Sequence, residues 1–473
     1  MTPCRRLLIA ACLLLGACAA RPPMAVEPVP DRRGEIEALV HRGCHGCLEQ
    51  AFAAATETGT RDAAVEAALL LALRAKELGL PHAGWVARAR EWLPETPGWS
   101  DYLDMVMSVP SDPSSADRSE LLREAAAHRK PRAVLETWRQ QLADAPGSPL
   151  FRAYLDVSLA CGPLLYNQRD AAMDAALQAF GDVPLVQYRL GMCGRTSLLV
   201  QALEDEPALV DAHFELGRAE LQRDQADTDE ALRRFGLAQA AFPSSATIAT
   251  AIGMVRQQRE DWTDALAAYE AALALVPSHR DALLGVAISL SHLSRHHEAI
   301  AAASRLIDLG FWYAADAYYW RAWNEYRLDD FAAARRDVDR AKALDPSAQT
   351  LLLSGLVAWR ERRIDPAEAD LQAALDRDFG LCDAATFLGG VRAERRQWLE
   401  SLAAFQHAEQ CSDLSISTNQ KAIATLAATE ESARSQAHRI KSHERAIADA
   451  ERRRAEATRN IAAIQRQLAL SAP

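Results

Sequence analysis

The sequence predicts an all-α protein, a right-handed solenoid of stacked helix-turn-helix units that ends in a capping helix or helix pair. The first observation is a spacing pattern that recurs every 34 residues or so. The second is the composition, which is 49% hydrophobic but only 6% aromatic, with alanine very frequent. The third is the lack of strand-like runs of Val, Ile and Thr. A fixed period of this length indicates one supersecondary unit stacked many times.

The first element is a targeting segment. Arg5 and Arg6 precede an apolar stretch of nine residues, 7–15, which is too short for a permanent membrane span. The tetrad that ends at Cys18, Leu-Gly-Ala-Cys, resembles a bacterial lipobox. That resemblance implies a signal peptide at 1–17 and acylation of Cys18. The alternative is an ordinary secretory signal, in which Cys18 has no role.

The second element, residues 18–34, reads as a lipidated flexible tether because prolines are dense between residues 22 and 30. Several acyl chains on one cysteine would anchor the chain stably. Ala19 follows the cysteine where retained inner-membrane lipoproteins carry Asp. The resemblance therefore implies an outer-membrane lipoprotein that faces the periplasm.

The third element, residues 35–209, is helical in pattern but departs from the 34-residue spacing. Ala172, Ala176, Ala179 and Pro184 keep part of it, which predicts degenerate helical hairpins. The polar stretch that begins at Pro110 is the best internal break.

The fourth element, residues 210–413, carries the regular spacing. From Gly253 the pattern steps to Ala265, Tyr269, Ala272 and Pro277. Small residues let two helices approach closely, the aromatic fills the groove between them, and proline ends the unit. The same step recurs, with two extra residues in the first copy, from the small residues Gly217, Ala287, Ala322, Gly355 and Gly389.

This pattern resembles the tetratricopeptide repeat (TPR), with about six copies in residues 210–413. The resemblance implies that the first helix of each repeat, helix A, lines a concave groove that binds other protein segments. On this register Tyr319, Trp323 and Tyr326 share one face of a helix A, and Trp359 and Phe214 point into the same groove. The alternative is that these rings fill packing sites between repeats.

The cysteines fit an oxidising compartment. Once the signal peptide and Cys18 are set aside, six cysteines remain, an even number. The repeat geometry suggests three disulfides, Cys44 with Cys47, Cys161 with Cys193 and Cys382 with Cys411. Two alternatives to a plain disulfide stay open for the first pair. His41 and His45 could bind a metal together with Cys44 and Cys47, or the two cysteines could be redox-active. His292 and His296, four residues apart, are a second and weaker metal candidate.

The last element, residues 414–473, is rich in arginine. Ile440, Ile447, Ile461 and Leu468 recur at multiples of seven, with Arg454 interrupting the seam. We expect a helical cap on the last repeat, and a short coiled coil with a partner is the alternative.

The functional class follows from these elements. A net charge of −11 argues against nucleic-acid binding. No catalytic or phosphate-binding motif nominates an enzyme, and nothing calls for a cofactor. We therefore expect a membrane-anchored scaffold that binds a periplasmic or outer-membrane protein or peptide segment through its groove. The alternative is binding of a glycan, peptidoglycan or exopolysaccharide, through the same aromatic residues.

Overall fold

The computed structural model describes residues 31–93, 136–137, 139–140, 147–161, 166–222, 227–310, 314–426 and 433–470. Within these residues the regular structure consists of 21 α-helices, which confirms the predicted all-α class. Cys18, the predicted signal peptide and the predicted break at Pro110 lie outside the described residues. None of the described helices combines the length and hydropathy that a membrane span requires.

The N-terminal part forms consecutive helix pairs, α1 with α2, α3 with α4, α5 with α6 and α7 with α8. Their bounds are α1 Arg33–Arg42, α2 His45–Thr58, α3 Arg61–Glu77, α4 Ala83–Glu91, α5 Pro149–Ala160, α6 Tyr166–Phe180, α7 Pro184–Met192 and α8 Ser197–Asp205.

The regular part consists of six A–B helix pairs, and we number these repeats one to six. Their bounds are α9 Asp211–Leu221 and α10 Thr228–Ala241, α11 Ala246–Gln258 and α12 Trp262–Leu275, α13 Arg280–His292 and α14 His296–Asp308, α15 Ala314–Arg327 and α16 Phe331–Leu344, α17 Ala348–Arg360 and α18 Ile364–Arg377, and α19 Cys382–Glu394 and α20 Trp398–Leu426. A final helix, α21 Ala433–Leu470, packs along α20.

In four of the six repeats a glycine of helix A contacts a large residue of helix B. A Cβ atom built on Gly253 would lie 2.7 Å from the ring of Tyr269, which is fully buried. The same distance, 2.7 Å, separates a built Cβ on Gly389 from the ring of Phe405. Real Cβ atoms do not approach other atoms so closely, so the two helices meet only where the side chain is missing. Gly217 with Phe235 and Gly355 with Leu371 repeat this contact.

The turn between helices A and B repeats as well. In the second repeat the Glu260 N–H donates to the Gln257 carbonyl at 2.9 Å, and the Asp261 N–H donates to the Arg256 carbonyl at 2.9 Å. This pair of bonds is the Schellman motif, which needs a left-handed residue after the helix. The residues with positive φ at five successive turns are Glu260, Ser294, Asp329, Arg362 and Arg396, none of which is glycine.

Helix α3 joins the N-terminal hairpins to the first repeat. It is buried on nearly all sides, as expected for a helix that is apolar all round. Three of its charged side chains are buried, and two of them form ion pairs: Arg74 with Asp211 of α9, and Glu77 with Arg189 of α7. The third, Glu66, accepts a hydrogen bond from the Ser148 hydroxyl. Removing one partner of such a pair leaves an uncompensated buried charge and costs about 3–5 kcal/mol. These two pairs therefore fix the position of α3 against both neighbouring helices.

The C-terminal helix α21 has buried residues at a spacing of seven. The buried residues of α21 are Ala450, Ala457 and Ile464, spaced seven apart and offset by three from the predicted isoleucines. They face α20, and His443 bonds Asn419 while Thr458 bonds Glu409 along the same pair. A coiled-coil-like seam is therefore made with the chain's own α20.

The contact between small and aromatic residues predicts opposite effects of one substitution at two glycines. Gly253→Ala should lower the free energy of unfolding by about 1–3 kcal/mol, because the new methyl overlaps the Tyr269 ring. Gly236→Ala, at an exposed helical site with nothing within 4 Å of a built Cβ, should raise it by up to about 1 kcal/mol. Urea unfolding measures both. Equal effects at the two sites would contradict this account of the repeat.

Candidate binding surface

The structure joins the six cysteines in the three pairs expected from the repeat geometry. The Cα–Cα distances are 4.9 Å for Cys44–Cys47 and 5.6 Å for both Cys161–Cys193 and Cys382–Cys411, all within the range that a disulfide spans. The second bridge ties the end of α5 to the end of α7. The third lies within the last repeat, although Cys411 does not close helix α20, which continues to Leu426.

The cysteine pair at the start of α2 bears on the metal and redox alternatives. Cys44 is the N-cap of α2, and its sulfur accepts a hydrogen bond from the Cys47 N–H at 3.0 Å. Burial lowers the pKa of His45, and its ring packs edge-on against Phe242 at 5.8 Å. Among the described residues no group of three or more His, Cys, Asp or Glu side chains is arranged to hold a metal ion.

The prediction that Phe214 lines the groove is wrong. Phe214 is only 1% exposed, and its ring packs against Phe235 and Leu78 in one buried cluster. The covering residue, Leu78, ends α3, and its carbonyl accepts a hydrogen bond from the Ser245 hydroxyl at the start of the second repeat. The chain's own N-terminal hairpins therefore cover the face of the first repeat that we expected to be open.

Tyr319, Trp323 and Tyr326 do share one face of α15, but their rings are half-buried. They pack against a small core that includes Leu353 and Val357 of the next helix A. Burial raises the pKa of Tyr319 in agreement with this position. The three rings thus fill the space between repeats four and five and leave only part of their surface exposed. Their role in partner binding stays a prediction.

Trp359 occupies a similar position one repeat later. Its ring lies 6.1 Å from that of Phe387, and a Cβ built on Gly390 would come within 2.9 Å of it. Trp359 therefore contributes to the contact between repeats five and six, and it too is half-buried.

A second set of rings was missed by the sequence reasoning. Trp262 and His292 stack in parallel with ring centroids 3.7 Å apart, and Trp320 lies 5.9 Å from His292. Tyr319 then meets Trp320 edge-on at 5.4 Å. We call these four residues the aromatic ladder. It connects repeats two, three and four, and His292 at its centre is exposed.

The repeat register places two residues of the ladder next to turns, but it does not predict that their rings stack. Trp262 begins a helix B and His292 ends a helix A, so both flank A–B turns, and turns of successive repeats lie side by side. His292 and His296 do not act together, because His296 bonds the buried side chain of Asn324 at 2.8 Å instead.

Two carboxylates shape the electrostatics of this surface. Burial lowers the pKa of His292, and the nearby Glu260 carboxylate partly opposes that effect. Glu325, on the same helix as Trp320, is half-buried and lies close enough to the Asp337 carboxylate to be affected by its charge. Burial and this like charge raise the pKa of Glu325 to about 7, although Arg321 opposes them.

The raised pKa of Glu325 predicts a pH-dependent stability. The folded protein binds this proton more tightly than the unfolded chain, whose glutamates titrate near 4.5. The cost of the half-buried carboxylate is therefore fully present above pH 7 and disappears as the pH falls towards 4.5. Glu325→Gln should raise the free energy of unfolding at pH 8, on the order of 1 kcal/mol after solvent screening, and change little at pH 5.

Urea unfolding of the variant and the wild type at both pH values checks this difference, with Glu400→Gln at an exposed site as the control. A gain from Glu325→Gln that is equal at pH 5 and pH 8 would show that the side chain does not titrate in this range.

Comparison with known proteins gives likeness of fold only. No protein-family model and no curated protein sequence matches the chain. Among solved structures, YrrB, described as a TPR protein with an unusual peptide-binding site, is 20% identical over 37% of this chain and 91% of its own, with a TM-score of 0.32. PilF of Pseudomonas aeruginosa is 18% identical over 42% of this chain and 90% of its own, with a TM-score of 0.39.

Yeast Tom70 is similar over a longer stretch, 90% of this chain and 93% of its own, at 12% identity and a TM-score of 0.35. These similarities carry no residue of a binding site from one protein to another. The chain is an all-α solenoid whose 21 described helices pack pairwise as TPR-like hairpins.

Proposed function

We propose that the protein is a membrane-anchored scaffold that binds a segment of another envelope protein along repeats two to five. The observation that carries the proposal is the aromatic ladder. It brings together rings from three repeats, and tryptophan and tyrosine are among the side chains that most often dominate binding energy at interfaces. They offer large contact area at low cost in conformational entropy.

The burial of one face of the first repeat also supports a binding surface on repeats two to five. Because α3 occupies the face of α9 that carries Asp211 and Phe214, a partner segment has no access there. The rings of α15 and the ladder beside them lie beyond this blocked end. The proposed binding surface therefore begins at the second repeat.

Glycan binding is the second candidate function. The parallel stack of Trp262 and His292 offers a flat face, as sugar-binding sites often do. Soluble peptidoglycan fragments distinguish the two candidates. Competition with protein capture by these fragments would favour the glycan, and unchanged capture would favour the protein segment.

The ladder predicts a loss of partner capture. Trp262→Ala and Trp320→Ala should each reduce the yield of crosslinked partner from the native envelope by about tenfold or more, the effect of losing an interface anchor worth about 2 kcal/mol. Crosslinking followed by mass spectrometry measures the yield. Phe379→Ala, at a ring that is 71% exposed between the fifth and sixth repeats, is the control and should leave capture unchanged. An equal loss with Phe379→Ala would argue against the ladder.

The anchoring part of the proposal rests on the lipobox-like tetrad. Cys18→Ala should abolish incorporation of labelled palmitate and release the protein from the outer-membrane fraction. The measurement is fractionation with fatty-acid labelling in a bacterial host. Unchanged membrane association of the Cys18→Ala protein would reject lipid anchoring and leave the binding proposal in place.

A further inference from the structure

The C-terminal helix pair extends well beyond the repeat that it caps. Helix α20 continues from Asp413, where the 34-residue spacing ends, to Leu426, an overhang of about 20 Å at 1.5 Å per residue. Helix α21 returns antiparallel along it from Ala433. We call residues 414–426 and 433–447 the overhang.

The overhang reaches back to the first two repeats. The Arg445 Nη1 atom lies 2.6 Å from the Glu260 Oε2 atom, although the two residues are 185 positions apart in the chain. Helix α21 also contacts α10 of the first repeat. The chain thus closes on itself from its last repeat to its first two.

This closure is weakly held. The side chains of Arg445 and Glu260 are 47% and 42% exposed, so water and salt screen their attraction. None of the described side chains between residues 436 and 449 is fully buried, whereas Ala450, Ala457 and Ile464 are. In the α20 half of the overhang Ile416 and Leu426 are buried, so the part of the helix pair that opens at the least cost is the segment of α21 from residue 436 to residue 447.

The surface that receives Arg445 has the chemistry that recognises a guanidinium group. The Glu260 carboxylate supplies charge and hydrogen-bond acceptors, and its backbone is fixed by the Schellman turn. Trp262, two residues later, stacks on His292, and Glu260 lies close enough to His292 to affect its titration. Carboxylates and flat rings are the two groups to which arginine binds best.

We propose that Glu260, Trp262 and His292 form a docking site for an arginine-bearing helix of a partner protein, and that α21 occupies this site in the free protein through Arg445. The inference rests on the proposed function, because it names the chemistry of the partner segment that binds at the start of the aromatic ladder. A partner helix then competes with the overhang for Glu260.

The first test measures the closure itself in the full-length protein. Arg445→Gln should increase amide hydrogen exchange in residues 436–447 by about three- to fivefold, while residues 450–464 stay unchanged. Arg454→Gln is the matched control, because Arg454 forms an equally exposed pair with Asp413 at 3.1 Å within the α20–α21 pair. Equal exchange in the wild type and Arg445→Gln would overturn the closure.

The second test measures docking in trans, with a fluorescein-labelled peptide of residues 436–457 as the probe. Fluorescence polarisation should show about fivefold tighter binding to the full-length Arg445→Gln protein than to the wild type, because the competitor in cis is weakened. Adding Glu260→Gln to Arg445→Gln should abolish this gain. Equal binding to all three proteins, or no binding to any, would refute the docking site.

The two proposals fail in different ways. If Trp262→Ala lowers partner capture but Arg445→Gln changes neither hydrogen exchange nor peptide binding, the docking inference is wrong and the scaffold function stands. If Arg445→Gln increases peptide binding but Trp262→Ala and Trp320→Ala leave partner capture unchanged, the ladder is not the partner surface.

Discussion

The close approach of the two helices in four of the six repeats depends on a missing side chain. Where Gly253 meets Tyr269, or Gly389 meets Phe405, the ring of helix B occupies the volume in which a Cβ atom would lie. The rest of the repeat follows from this contact, because it sets the distance between the two helices and thereby the angle at which the next hairpin stacks. Alanine serves in the third and fourth repeats, where Ala287 and Ala322 are completely buried.

The period made this part of the fold predictable. The spacing that runs from Gly253 to Pro277 and recurs in later repeats assigns a helix and a face to each of its residues. The six hairpins and the disulfide between Cys382 and Cys411 could therefore be expected from the sequence. The burial of Phe214 could not be predicted in this way. Its position in helix A was correct, but the residue that covers it, Leu78, lies in a region without the period, and spacing within one repeat carries no information about such a distant contact.

The aromatic ladder is a second feature that the spacing within one repeat does not predict. Trp262 and His292 belong to different repeats and stand at different positions within them, so no single register position marks them as neighbours. Their stacking depends on how adjacent hairpins rotate against each other. The sequence could not show how far the Trp323 ring is buried for a related reason. The residue that it packs against, Leu353, belongs to the following repeat.

The Schellman turns have a consequence for how such a chain can change. The backbone bonds that stop helix A are made whichever side chain stands at the left-handed position, as the variety of Glu260, Ser294 and Arg362 shows. Each of these residues gives up some stability that glycine would retain. In return repeats two to six each carry one position where the charge of the side chain can change without altering the fold. Recognition at these positions can therefore diversify one repeat at a time.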